Sequence, residues 1–189
     1  MNLLYSKKEY RLYNLFKYIV INFPLVLVNT YVIYKLNHNK KNNKYKVFTV
    51  FLVFLIYYCG HILFHQKLHP NYNFHLLHHN FPNVFNIKHI EFLVNILPLN
   101  LILLNKLFNF KYLDNTLITY TVFLYTSVHL INYHILNINS HLLHHTQRNI
   151  NYGPEFLDIL FLTKKHNTPY ENLNNAIINV FLLYYFLKP

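Results

Sequence analysis

The pentapeptide His-Leu-Leu-His-His occurs twice in this chain, at 75–79 and again at 141–145, and any fold must account for both copies. In a helical segment, positions i, i+3 and i+4 fall on one face within about one turn. His75, His78 and His79 then project together, as do His141, His144 and His145. Neutral imidazole is a nitrogen donor that suits iron, zinc and copper, so the spacing is that of a metal-ligand set. An amphipathic surface segment that happens to carry histidine would explain one copy, but it explains two poorly. The enrichment is also local, because 12 of the 14 histidines lie within 61–89 and 129–145. The abundant Lys, Asn, Ile, Tyr and Phe are what A/T-rich coding would give regardless of function, whereas histidine codons are not A/T-only.

A chain of 189 residues has room for one domain, taken here as 1–189. It is 53% hydrophobic and only 12% charged, against roughly 25% charged residues in an average soluble domain, which points to a membrane. The net charge of +11 and pI near 9.6 come from scattered basic residues beside apolar runs. No nucleic-acid motif accompanies them, and a basic rim on an anionic membrane surface accounts for the charge. The single Cys59 excludes an intramolecular disulfide framework and a cysteine-based zinc site. Met1 to Tyr10 is too polar for a cleavable signal.

Four apolar runs set the expected architecture: Tyr18 to Tyr34, Val47 to Phe64, Ile90 to Phe110 and Thr116 to Tyr133. Lys35 to Lys46 reads as a loop. Ala176 to Leu187, at about 12 residues, is too short to span and is expected to be an amphipathic or core-packing helix closing over the site. The predicted fold is all-α, an integral membrane bundle of about four transmembrane helices with a histidine-rich helical cap on one membrane face. His61 and His65 end the second run and His129 ends the fourth. With four crossings, those ends and the start of the third run share one side, so the histidine clusters share one compartment. Asn139 or Ser140 is placed to cap a helix from His141. Charge asymmetry does not orient the chain, since Lys35 to Lys46 is as basic as the amino terminus.

Taken together the histidines read HxxxH (His61, His65), HxxHH (His75, His78, His79), a single His129, and HxxHH (His141, His144, His145). The second HLLHH is followed by Asn151-Tyr-Gly and then by Asp158-Ile-Leu-Phe-Leu-Thr163. Over about residues 55–165 this pattern resembles the fatty acid hydroxylase superfamily, the membrane-bound group that includes sterol desaturases, C4-methyl sterol oxidases and sphingolipid hydroxylases. The tail departs from the family's W-D-x-x-F-G-T ending, with Phe156 or Leu157 where Trp is frequent and Leu162 in place of Gly. His89 and Glu91 match a family H-P-x-E segment only faintly. Fatty acid desaturases also use three histidine boxes, but with a longer first box and a longer chain. No HExxH occurs, and six acidic residues without ExxH pairs disfavour a soluble diiron carboxylate protein.

The resemblance implies a dinuclear centre, generally of two iron ions, with zinc a possible occupant of purified protein, O2 as co-substrate and a lipid as substrate. Breaking an unactivated C–H bond needs an oxidant that no side chain supplies. Two metals need roughly eight to ten donors if water fills some positions, and His61, His65, His75, His78, His79, His129, His141, His144 and His145 meet that number. Asp158 is expected to orient a ligand imidazole through its other ring nitrogen, or else to cap a helix or pair with Lys164 or Lys165. His134 is a supporting residue, since five α-helical positions put it off the face of His129. His69 and His89 are assigned to a supporting or surface role, His38 and His166 to solvent, and Tyr152 and Gly153 to a turn. Electrons would come from a cytochrome b5 type donor or a ferredoxin. The expected setting is an internal membrane of the endoplasmic reticulum type with the site facing the cytosol. The alternatives are a non-catalytic metal-binding or metal-transporting membrane protein, and a degenerate family member with a scaffolding role.

Overall fold

The structure, a computed structural model, describes residues 7–38, 43–66, 92–136, 143, 150–165 and 168–188. Among these residues the regular elements are all helical. The principal ones are α1 (Lys7–Ile21), α2 (Phe23–Asn37), α3 (Phe48–Gln66), α4 (Asn100–Phe108), α5 (Asn115–His129), α6 (Glu155–Phe161) and α7 (Ile177–Leu187). The chain is therefore all-α, as expected. The stretch read as a loop, Lys35 to Lys46, is partly helical: α2 runs on to Asn37, and a single turn covers Asn43–Lys46.

The first apolar run is not one straight helix. It breaks between α1 and α2 with a bend of 81°. Pro24, in the first turn of α2, has no N–H to give and crowds the carbonyl four residues back, and Asn22 takes the non-helical angles φ −99°, ψ 14°. The bond an unbroken helix would make from Leu25 N–H to the Ile21 carbonyl is replaced by the Asn174 side chain. Its Nδ2 donates to Ile21 O at 2.9 Å and its Oδ1 accepts from Leu25 N at 3.2 Å. Asn22, 1% exposed, donates to Tyr18 O and Glu171 O and accepts from Leu173 N at 2.7 Å. The segment leading into α7 is thus stitched into the α1–α2 corner. From there α7 packs on α2 and α5, around Val32, Leu36, Leu117, Tyr120 and Val180.

Helices α3 and α5 run parallel. At their starts, Thr49 Oγ1 accepts from Asp114 N at 3.1 Å, and Asp114 caps α5 by accepting from Leu117 N. Further along both chains, Tyr57 stacks on Tyr125 with ring centroids 3.9 Å apart. The helix between them, Phe92–Phe108, contains a 3-10 turn at Leu97–Leu99 around Pro98 and runs the other way. Its early residue Asn95 offers its backbone carbonyl to Tyr57 Oη and Thr126 Oγ1, and Asn105 near its end bonds Asn115 at the start of α5. The end of α3, the start of Phe92–Phe108 and the end of α5 consequently lie together.

Among the described residues no single helix is long and apolar enough to cross a membrane; α1 and α2 reach that length and composition only when taken together across their bend. The outer faces are nonetheless apolar. Leu107, Phe108, Ile178 and Phe186 are each more than 60% exposed, so α7 is apolar on its outward side as well as its packed side. It is a core-packing helix, and the amphipathic alternative fails because no polar face exists for it.

Removing the Asn22 side chain strands the buried Leu173 N–H and Glu171 carbonyl. Asn22→Ala should lower unfolding free energy by about 2–3 kcal/mol, read from denaturant or thermal melts in detergent.

Candidate metal centre

Two of the nine nominated ligands have described side chains, and both sit at the shared end of the parallel pair. His61 is four residues beyond Tyr57 on α3, and His129 four beyond Tyr125 on α5. They are 6% and 5% exposed, and the Tyr125 and His129 rings lie 5.9 Å apart. Because the helices are parallel and their tyrosines are stacked, the next turn of each carries its histidine in the same direction. His65 and His134 are described by backbone alone, and His75, His78, His79, His141, His144 and His145 lie outside the described residues. Leu143, within the second pentapeptide, is helical. Among the described residues no three metal-capable side chains form a group.

His61 has a fixed tautomer. Its Nδ1 lies 2.5 Å from the Tyr152 carbonyl oxygen, which can only accept, so Nδ1 carries the hydrogen and, in the neutral ring, Nε2 is the lone-pair nitrogen. This is the arrangement by which a backbone carbonyl orients a metal-binding imidazole and raises its basicity. A neutral His61 held this way fits one position of a metal's ligand set.

The Tyr152 carbonyl is itself held. Asn151 and Gly153 take left-handed angles, φ 51° and 71°, which Asn tolerates and Gly adopts freely. This turn directs the Tyr152 and Gly153 N–H groups onto the Asp158 carboxylate at 2.9 and 2.7 Å. Thr163 Oγ1 donates to the same carboxylate at 2.6 Å and lies 2.9 Å from Tyr58 Oη. Asp158 thus reaches His61 through the Tyr152 peptide rather than by touching an imidazole. Tyr58, three residues before His61, fixes α3 to the same turn at a second point. Sequence reading passed over Tyr58 and gave Thr163 no role beyond its place in the Asp158–Thr163 motif; the signal available for Tyr58 was a tyrosine one turn before a candidate ligand.

The backbone also changes the footing of His134. After His129 the helix continues as a π-helix over Leu130–Ile135, with Leu136 N bonded to Ile131 O. In α geometry five residues rotate position 134 about 140° away from position 129. The wider repeat of a π-helix turns it back toward that face, and such segments recur at functional sites.

Beside this assembly lies a buried charge cluster that the sequence reading did not isolate. Glu155 Oε1 pairs with Lys164 Nζ at 2.5 Å and its Oε2 accepts from Glu171 N at 2.8 Å. Lys164 also donates to Thr168 Oγ1 and Pro169 O. Burial and the nearby Glu171 push the Glu155 carboxyl up to about 7, against the pull of Lys164. Burial likewise raises Asp158 to about 6, with its three donors opposing. A cavity of about 290 Å³ touches His129 and Glu155, and its wall reaches the exposed Ile19 and Val26.

In comparisons with family models, characterised proteins and solved structures, nothing matches the chain.

Leu162 ends α6 at φ 61°, ψ 30°, a conformation costing an L side chain roughly 1–2 kcal/mol and glycine nothing. Leu162→Gly should stabilise the protein by about 0.5–1 kcal/mol after glycine's unfolded-state entropy is deducted, seen as a higher thermal midpoint. A folded-state pKa above the ordinary carboxylate value means that the folded chain keeps a proton the unfolded chain gives up, so the associated stability is complete below about pH 4 and is lost as pH rises through about 7. The thermal midpoint of wild type relative to Glu155→Gln should accordingly fall between pH 5 and 8.

Proposed function

We propose that the chain is a membrane-bound oxygenase with a dinuclear metal centre, taken as two iron ions, which hydroxylates or desaturates a lipid using O2 and external electrons. The observation that carries this reading is the His61–Tyr152 hydrogen bond, which presents Nε2 of a nominated ligand at the bundle end that His129 also occupies. Further support comes from the two pentapeptides, from the resemblance over 55–165, and from Leu162, which takes the glycine-like backbone at the place where the family ending has Gly.

His61, His65, His75, His78, His79, His129, His141, His144 and His145 would hold the metals, with His134 and Asp158 in support. When bound, the metals supply oxidising power toward an unactivated C–H bond. The chain's own residues do the rest. Tyr152 fixes the His61 nitrogen, Asp158 and Thr163 fix Tyr152, and the Tyr57–Tyr125 stack fixes the spacing of α3 and α5. Apolar walls exclude water and receive the lipid chain, as in the cavity that borders His129. The apolar outer faces suit a bilayer, here an internal membrane with the site on the cytosolic side. The excess of basic residues suits an acidic donor of the cytochrome b5 or ferredoxin kind.

Protein purified in detergent should carry two transition-metal ions per chain, and expressing cells should accumulate an oxidised lipid detectable by mass spectrometry. His144→Ala should abolish the product with an unchanged helical circular dichroism spectrum. Protein that is metal-free when prepared without chelators, or a His144→Ala variant with full turnover, would refute the reading.

A further inference from the structure

Tyr58 heads a hydrogen-bond chain whose direction is fixed. Asp158 Oδ1 takes the Thr163 Oγ1 hydrogen at 2.6 Å, within the roughly 2.5–2.7 Å of a hydroxyl bonded to a charged oxygen. A threonine hydroxyl has one hydrogen to give, so the 2.9 Å contact between Thr163 Oγ1 and Tyr58 Oη is filled by the tyrosine's proton. A phenol is thereby joined to a base through one exchangeable hydroxyl. Burial raises Asp158 only to about 6, so at neutral pH it is ionised and able to accept. Tyr58 and Asp158 are both buried, which keeps bulk water from competing for the proton. By contrast the buried phenols of Tyr57 and Tyr120 give to neutral amide oxygens, the Asn95 carbonyl and Asn29 Oδ1. Anchoring α3 to the turn requires a hydrogen bond, but it does not require one that ends on a carboxylate.

The ring is placed for electron transfer as well. Tyr58 stands one helical turn before His61 on α3, and its ring meets the Tyr152 ring edge-on with centroids 6.0 Å apart. Tyr152 is the residue whose carbonyl holds His61. The Tyr58 ring also stacks on Phe161 at 5.0 Å, and Phe161 is 51% exposed, so one ring separates Tyr58 from the surface. The chain has no tryptophan, which leaves tyrosine as its readily oxidised ring. We propose that Tyr58 is a redox-active tyrosine: it gives one electron to an oxidant at the histidine end of the bundle and becomes a neutral phenoxyl radical, its proton passing to Thr163 as the Thr163 proton passes to Asp158. One O–H bond breaks at Tyr58, one forms at Asp158, Thr163 keeps its hydrogen count, and the oxidant is reduced by one electron. A small one-electron reductant outside Phe161, of the ascorbate kind, restores the phenol while the proton returns along the same bridge. Such an outlet draws off oxidising equivalents that would otherwise attack the histidines when no C–H bond is in place. Naming the metal centre as the oxidant rests on the proposed oxygenase function; the oxidation of Tyr58 itself does not.

The test uses the full chain in detergent, stripped of metal, with a ruthenium(II) tris-bipyridyl photo-oxidant attached to the exposed Cys59, the single cysteine. Flash excitation with a sacrificial acceptor generates the one-electron oxidant, and the freeze-trapped radical is quantified by electron paramagnetic resonance. Wild type should give a tyrosyl signal whose yield does not change with buffer concentration, because the base is internal. Tyr58→Phe should remove the signal. Thr163→Val should remove most of it although the Tyr58 ring is still present, and Thr163→Ser should retain it, with helical circular dichroism reporting the fold of each variant. A signal that survives Tyr58→Phe, one that survives Thr163→Val, or a wild-type yield that rises with buffer base would overturn the proposal and leave Tyr58 as a strut of α3. Metal content is measured on parallel protein prepared without chelators. A Tyr58 radical in a protein that carries no metal keeps the tyrosine and retires the oxygenase, whereas metal-loaded protein whose signal ignores Tyr58→Phe does the reverse.

Discussion

An imidazole inside an apolar helix bundle has polar nitrogens to satisfy, and at His61 the fold answers Nδ1 with a peptide carbonyl. The His61 Nδ1–H bond to Tyr152 is the interaction on which the arrangement around α3 depends. It joins residues 91 positions apart in sequence, and the turn it docks onto is built for the purpose. Left-handed backbone at Asn151 and Gly153 swings two N–H groups onto Asp158 and leaves the intervening carbonyl directed at the helix. A buried carboxylate is expensive in such surroundings, yet Asp158 is supplied with three donors, and its charge is expressed as rigidity in the neighbouring peptide.

The second organising contact is the aromatic stack between Tyr57 and Tyr125. Offset aromatic pairs contribute roughly 0.5–1.5 kcal/mol beyond the area they bury, but here geometry matters more than energy. The stack locks the relative height of two parallel helices one turn below their histidines. The antiparallel Phe92–Phe108 helix is tied to the same level through the Asn95 carbonyl. Three chain segments are thereby brought to one end of the bundle before any metal is considered.

Much of this was legible in the letters. Apolar runs of helical length gave the all-α class, and their boundaries near 47–64 and 116–133 agree with α3 and α5 to within a few residues. Asp158 was noticed as a support, although its route to histidine through a peptide was not readable, because that route depends on the left-handed angles at Asn151 and Gly153. The 81° break after Ile21 was obscured because Asn22 and Pro24 read as interruptions in a span, while the amide that completes the corner comes from position 174. His134 was given a supporting place on an α-helical count that the π-helix over Leu130–Ile135 alters. Local pattern fixes periodicity, and it fails where a distant side chain or a change of helical repeat alters the register.

The Asn174 amide that stands in for a missing rung between Ile21 and Leu25 bears on the order of assembly. A ribosome makes the first hairpin early, yet its corner waits for a residue about 150 positions later. The α1–α2 corner must therefore carry an open seam until Asn174 has been made. Loop closure over that distance is slow compared with local helix formation. The segment around Asn174 acts as a latch on the α1–α2 corner.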